Sequence, residues 1–288
     1  MKKSKLAKVL TVSLAALMVF GLASCGGGSG KVSDKDITVI SREEGSGTRD
    51  AFTELTGVLQ DDVDKTVDTA EISNSTSVVT QSVAGNDAAI GYISLGSLDD
   101  TVKAVKVDGV EATVDNIKSG DYKIQRPFNI VTKGEVKELP ADFIKFIMSK
   151  DGQKIIEDEG YISVNDNAEA YKASGLKGSI TLAGSTSVSP VMEVLADKYK
   201  ELNSGVTIEI QQTGSGAGIQ STTEGVCDIG MASRELKDEE TSQGLKSEEI
   251  ALDGIAVIVN KDNGVEDLSM DQIMKIFTGE ITNWADVQ

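Results

Sequence analysis

The chain has 288 residues, 39% apolar and 4% aromatic, with a formal net charge of −18. That length and apolar content suffice for one large domain or for two lobes with separate cores. The few aromatics and the negative charge argue against base stacking, nucleic acid and anionic membrane as partners. No histidine is present, which excludes a Ser-His-Asp triad, a Cys-His dyad and a His-ligated zinc. A small anion is still allowed, because a few oriented donors dominate at short range whatever the global charge.

Residues 1–24 have the three parts of an export signal. Lys2, Lys3, Lys5 and Lys8 form the positive end, and Val9 to Leu22 is an apolar run too short for a comfortable span. Leu22-Ala23-Ser24-Cys25 then has the form of a bacterial lipobox, in which Cys25 is lipidated and becomes the mature first residue. The plainer alternative is a signal peptide with an incidental cysteine. Residues 25–35 read as a flexible, glycine-rich tether. Lipid and tether together predict a soluble domain held by its lipid anchor at the outer face of a membrane. Cys25 being so explained, Cys227 is expected as a small buried hydrophobe without a disulfide.

From Asp36 onward, short strands, Gly-rich turns and helices alternate. Strands are predicted at Ile37–Ile40, Ala88–Ile93, Phe128–Val131, Ile180–Leu182, Val206–Ile210 and Ile255–Val259. Helices are predicted over Arg49–Leu59 and over roughly Pro140–Glu157. Another follows Ser187, where Val188, Val191, Met192, Leu195 and Tyr199 share one face and Pro190 sits in the first turn. Ser269 and Gln272 have capping-box spacing before an apolar stretch that Gly279 ends. This alternation argues an α/β class.

Three segments share one design of strand, small hydroxyl-rich turn and helix. They are Arg42-Glu43-Glu44-Gly45-Ser46-Gly47-Thr48, Gly184-Ser185-Thr186-Ser187 and Thr213-Gly214-Ser215-Gly216. A helix start leaves backbone N–H groups unpaired and carries partial positive charge. Glycine admits close approach, hydroxyls add donors, and Arg42 can add a two-pronged charged contact. Each turn alone also suits an ordinary N-cap or tight turn; three in one chain point to an oxyanion site. Trp284 reads as packing and Asp238-Glu239-Glu240 as a solvated helix face.

These residues carry a resemblance to a known family. Ile180 to Pro190, Gln212 to Gly218, Asp228 to Arg234, Phe277 to Trp284 and Ser41 to Arg49 resemble five landmarks of the phosphate-binding proteins of bacterial phosphate ABC transporters. The likeness covers nearly the whole mature chain, and Arg-x-x-Gly-Ser-Gly-Thr is its most specific piece. The order differs: the family's segment ending in Asn-Trp precedes the arginine segment, whereas here Trp284 is near the C-terminus and Arg42 near the start. The chain therefore reads as a circular permutant, restored to the usual order by joining Gln288 to Asp36.

The resemblance implies a two-lobed periplasmic-binding-protein-like fold of type II with a ligand cleft between the lobes. Residues 36–125 would be the first part of lobe 2, 126–260 lobe 1, and 261–288 the second part of lobe 2. The crossings would fall near Arg126–Val131 and Val257–Lys261. Phosphate contacts carried over by position are Ser185, Thr186, Ser187, Ser215 and Ser233 from one lobe and Arg42, Ser46, Gly47 and Thr48 from the other. Glu44 aligns with an acidic residue that orients the arginine, with a solvated surface charge as its alternative. Arg234 reads as a second charged ligand or an ion-pair partner. Ser233 stands where well-studied members have an aspartate that accepts a phosphate proton, a group that sulfate cannot satisfy. The implied partners are inorganic phosphate and membrane permease subunits; the chain is expected to be a monomer, with no cofactor, no metal and no catalysis. Alternatives are a binder of sulfate, molybdate or another tetrahedral oxyanion, a surface or signalling relative, and a hydrolase using Ser46 or Ser187, for which no base is evident.

Overall fold

The structure, a computed structural model, describes residues 34–287; the signal, Cys25 and most of the tether lie outside the described residues. Strands of three residues or more run in the order β1 (Thr38–Arg42), β2 (Glu71–Ser73), β3 (Ala89–Ser94), β4 (Val102–Ala104), β5 (Gln125–Lys133), β6 (Gly178–Gly184), β7 (Val206–Gln212), β8 (Ile229–Ala232) and β9 (Leu245–Asn260). The helices are α1 (Gly47–Thr56), α2 (Thr76–Gly85), α3 (Val114–Lys118), α4 (Glu138–Ile147), α5 (Lys150–Asp158), α6 (Ser189–Leu202), α7 (Ser215–Glu224), α8 (Asp238–Thr241) and α9 (Met270–Phe277).

The strands follow one path, β7-β6-β8-β5-β9-β3-β1-β2, with β4 added beside β9. Strand β9 joins its two halves. Its residues Leu245–Gly254 pair antiparallel with β5, and from Ile255 it pairs with β3 instead. Each half buries its own core. Val39, Phe52, Tyr92, Val257, Ile276 and Trp284 belong to one; Phe128, Phe143, Ile180, Val191, Met192 and Tyr199 belong to the other. Two packed bodies joined by strands β5 and β9 give the two-lobed α/β fold. The second crossing comes at Gly254–Ile255, a few residues before the expected Val257–Lys261. The apolar run Ile255–Val259 is fully buried, and Ile255, Val257 and Val259 pack in the same core as Val39 and Phe52.

Local rules account for the element ends. Ser46 caps α1 by accepting from the Arg49 N–H, and Gly57, with φ +76°, closes it. The predicted continuous helix over Pro140–Glu157 is two helices, because the Ser149 hydroxyl accepts from the Gly152 N–H and starts a new one. The Ser269–Gln272 capping box is present at α9, and Pro190 occupies the first turn of α6. The ends of the described chain lie side by side. Ile37 donates its N–H to the Thr282 carbonyl at 2.8 Å, and Trp284 donates to the Lys35 carbonyl at 3.0 Å. Trp284 is fully buried and donates Nε1–H to the Ala88 carbonyl at 2.9 Å, a packing role.

Candidate functional site

Parallel neighbours point their carboxyl ends the same way, so the helices that follow them start at one edge of the sheet. In lobe 2, β1 runs parallel to β2, so the starts of α1 and α2 lie together. In lobe 1, β6 runs parallel to β7 and β8, which gathers the starts of α6 and α7 with Ser233 just past β8. The two edges face each other across the cleft and meet. The Gly216 N–H donates to the Gly45 carbonyl at 2.9 Å.

Side chains from both edges form one buried polar cluster. Arg42, 2% exposed, donates from Nη2 to Thr186 Oγ1 at 3.0 Å and from Nη1 to Thr76 Oγ1 at 3.4 Å. Thr48 Oγ1 lies 2.9 Å and Thr76 Oγ1 3.0 Å from Ser187 Oγ. Beside them, Ser233 Oγ lies 3.0 Å from Ser185 Oγ and 3.3 Å from Ser215 Oγ. Gly47 sits against this second group: a Cβ there would come within 2.5 Å of Ser215 Oγ and 2.8 Å of Ser233 Oγ. Gly184, at φ +145°, has no room for a side chain either, because a Cβ would come 2.1 Å from the Met231 carbonyl oxygen. Hydroxyl hydrogens rotate, so these groups can turn together toward an oxyanion. The arrangement offers many neutral donors and one guanidinium.

The guanidinium is held from behind. Glu43 accepts from Arg42 Nε and Nη2, both at 2.8 Å, in a two-pronged pair. The Arg42 N–H donates to the Tyr92 hydroxyl at 3.1 Å, and its carbonyl accepts from Arg49 Nη1 at 2.8 Å. The orienting carboxylate is thus Glu43. Glu44, which the resemblance set in that role with a solvated surface charge as its alternative, is exposed.

Arg234 is engaged in ion pairs. Its Nη1 and Nη2 donate to the two Glu240 oxygens at 2.8 Å, and its Nε lies 3.0 Å from Asp50 Oδ2 across the cleft. The guanidinium therefore ties lobe 1 to α1 of lobe 2. Glu240, read from sequence as part of a solvated face, is its main counter-charge: burial pushes the Glu240 carboxyl up, but Arg234 and the Lys237 N–H hold it below the usual range. Two other predicted hydroxyls already cap the chain. Ser46 accepts from the Arg49 N–H at 3.4 Å, and Ser185 Oγ accepts from the Ser187 N–H at 3.2 Å and the Val188 N–H at 3.4 Å.

A second buried pair underlies the site. Arg126 and Asp253 are register partners on β5 and β9 at the crossing, with Nη2–Oδ2 3.1 Å. Ser94 donates to Asp253 Oδ1 at 2.9 Å, and Arg126 Nη1 donates to the Ser233 carbonyl at 3.3 Å. Burial pushes the Asp253 carboxyl up to about 6 against the pull of Arg126. Sequence reasoning missed Thr76, Glu43 as the pairing carboxylate, Asp50 and this pair. The signal for Thr76 was present in Asn74-Ser75-Thr76-Ser77, a hydroxyl-rich turn before Val79 and Val83, but without a glycine. Cys227 is half-buried, its thiol pushed up by burial, with Sγ 3.3 Å from Thr222 Oγ1. Among the described residues, no group of three metal-binding side chains occurs, and no helix is long and apolar enough to cross a membrane.

The family model of a PBP superfamily domain matches residues 28–151 and 169–288. The chain belongs to the PBP superfamily. It is 52% identical over 294 residues to "Phosphate-binding protein PstS 2" of Streptococcus agalactiae, covering 100% of this chain and 99% of that one. The crystal structure of a phosphate ABC transporter, phosphate-binding protein from Streptococcus pneumoniae TIGR4 matches with a TM-score of 0.71 and 48% identity, over 88% of this chain and 100% of that one. The "Phosphate-binding protein PstS" of Bacillus subtilis is 38% identical over 127 residues, which is 43% of this chain and 42% of that one.

Proposed function

We infer that this chain captures inorganic phosphate outside the cytoplasm and delivers it to the permease subunits of an ABC importer. One observation carries the reading: hydroxyls and helix starts from two lobes converge with Arg42 in a single buried cluster, in a chain similar over its full length to a phosphate-binding protein. Thr186, Ser187, Ser215, Ser233, Thr48 and Arg42 bind the anion through side chains, and Gly47 through its N–H. Ser46 and Ser185 contribute through the turns they cap. Burying the anion between donors of both lobes couples binding to closure. No bond is made or broken. The lipobox at Cys25 and the tether after it support a lipid anchor, the protein being otherwise a soluble monomer.

The swapped order is part of this reading. Lobe 2 is drawn from residues 36–125 and 255–288, and lobe 1 from 126–254. The adjacency of Lys35–Ile37 to Thr282–Trp284 supports it, since a short link could join the ends. So does the Bacillus subtilis match, which follows less than half of each chain as a collinear comparison of swapped halves would.

A second reading keeps the class and changes the ligand to sulfate or another tetrahedral oxyanion. Ser233 favours it: the groups touching its hydroxyl are the serines Ser185 and Ser215, so no fixed acceptor demands a protonated ligand there. Calorimetric titration with phosphate and with sulfate decides. Phosphate binding at micromolar levels or tighter is expected, and its absence defeats the phosphate assignment.

A further inference from the structure

We propose that Thr76 is a direct ligand of the bound anion, donating through both its backbone N–H and its hydroxyl, so that the start of α2 joins those of α1, α6 and α7 in the site. The proposal rests on the cleft being an oxyanion site, and extends it to a turn not counted among the three glycine-bearing ones.

The placement follows from topology. Strand β2 pairs in parallel with β1, and Ser73 is the register partner of Arg42. Thr76 comes three residues later as the first residue of α2. The preceding Ser75 caps the helix by accepting from the Val78 N–H at 3.3 Å. The Thr76 N–H has no carbonyl within the helix to reach; it points across the cleft to Thr186 Oγ1 at 3.4 Å.

The chemistry points the same way. Thr186 Oγ1 receives from Arg42 Nη2 at 3.0 Å and from the Thr76 N–H at 3.4 Å, and lies 3.3 Å from Thr76 Oγ1. Three donor-bearing groups thus converge on one neutral hydroxyl oxygen, a weak acceptor for so many. An anionic oxygen accepts the same donors more strongly, because charge-assisted hydrogen bonds are roughly twice as strong as neutral ones. Thr76 is 4% exposed, and its hydroxyl lies 3.0 Å from Ser187 Oγ and 3.4 Å from Arg42 Nη1. It therefore touches the contact residues of both lobes. With Thr186 it also lines a cavity of about 600 Å³ that includes Ser97, Asp99 and Pro190, so this pair stands where the cluster borders open space.

Calorimetry on the purified mature chain and two variants tests this. Thr76→Val keeps the shape and loses the hydroxyl, and is expected to weaken phosphate binding about tenfold or more. Thr76→Ser is expected to recover most of that loss. If the parent chain binds phosphate and Thr76→Val binds it equally well, the hydroxyl has no such role and the proposal falls while the phosphate reading stands. If the parent chain binds no oxyanion, both fall. A second readout needs no variant and covers a valine chain that does not fold: in the parent chain the Thr76 amide proton signal is expected to move downfield on saturation with phosphate. An unmoved signal at saturation overturns the backbone contact.

Discussion

Arg42 and Arg126 are each 2% exposed, yet they solve the burial of a positive charge in different ways. Arg126 lies across from a carboxylate that is itself fully buried, and Asp253 is further satisfied by Ser94. Its charge is consumed within the fold, at the strands that join the lobes. Arg42 pairs with Glu43, a partly exposed carboxylate, and spends its remaining N–H groups on hydroxyls from Thr76 and Thr186. Those partners are neutral and can rotate, so its charge remains available to an anion. A buried cation with a buried counter-ion is architecture; a buried cation facing hydroxyls is a site in waiting.

The largest effect is expected where both charges of a pair are buried. Asp253→Ala leaves Arg126 buried and unpaired, and should cost about 3–5 kcal/mol in denaturant unfolding; a joint change with Arg126→Met should restore much of that. Arg42→Met should do the opposite. Stability changes little, while phosphate affinity falls by about 2–5 kcal/mol, or thirtyfold and more, by calorimetry. A large stability loss in Arg42→Met together with intact binding would erase the distinction between the two arginines.

The pH dependence sharpens the contrast. Burial raises the Asp253 carboxyl from 3.8 to about 6. Between those values the folded chain holds a proton there that the unfolded chain does not, so this group's contribution to stability increases as pH falls through 6 and diminishes as pH rises through it. The stability of the parent chain relative to Asp253→Asn should therefore rise from pH 7 to pH 4, read by chemical unfolding. A flat difference would mean that Asp253 titrates as an ordinary carboxylate. The smallest effect separates the adjacent acids: Glu43→Gln should weaken phosphate binding severalfold by loosening Arg42, and Glu44→Gln should leave it within about twofold, as an exposed charge far from any fixed partner does.

Much of this was legible along the chain. Capping signals placed Ser269 and Pro190 correctly, because they act over a single turn and need no distant partner. The apolar run at Phe143, Ile144, Ile147, Ile155 and Ile156 suggested one helix, but the Ser149 cap divides it; periodicity alone does not register a break that restarts nearly in phase. Glu43 and Glu44 could not be told apart in sequence, since the direction each carboxylate faces depends on how the turn leaves β1. Thr76 escaped notice because its strand is three residues long and its turn lacks glycine; only the parallel pairing with β1 sets it beside Arg42.

What the sequence by itself determined is the local chemistry: helix starts rich in hydroxyls, an arginine before one of them, and an alternating pattern that commits the chain to α/β packing. These follow from short-range sterics and hydrogen bonding, which depend mainly on neighbouring residues. What only the tertiary structure decided is which polar groups meet. Arg42 with Thr186 are 144 positions apart, and Arg126 with Asp253 are 127 apart. Such pairings depend on strand order and on where β9 passes between the lobes, and no local rule encodes a distance through space between residues so far apart along the chain.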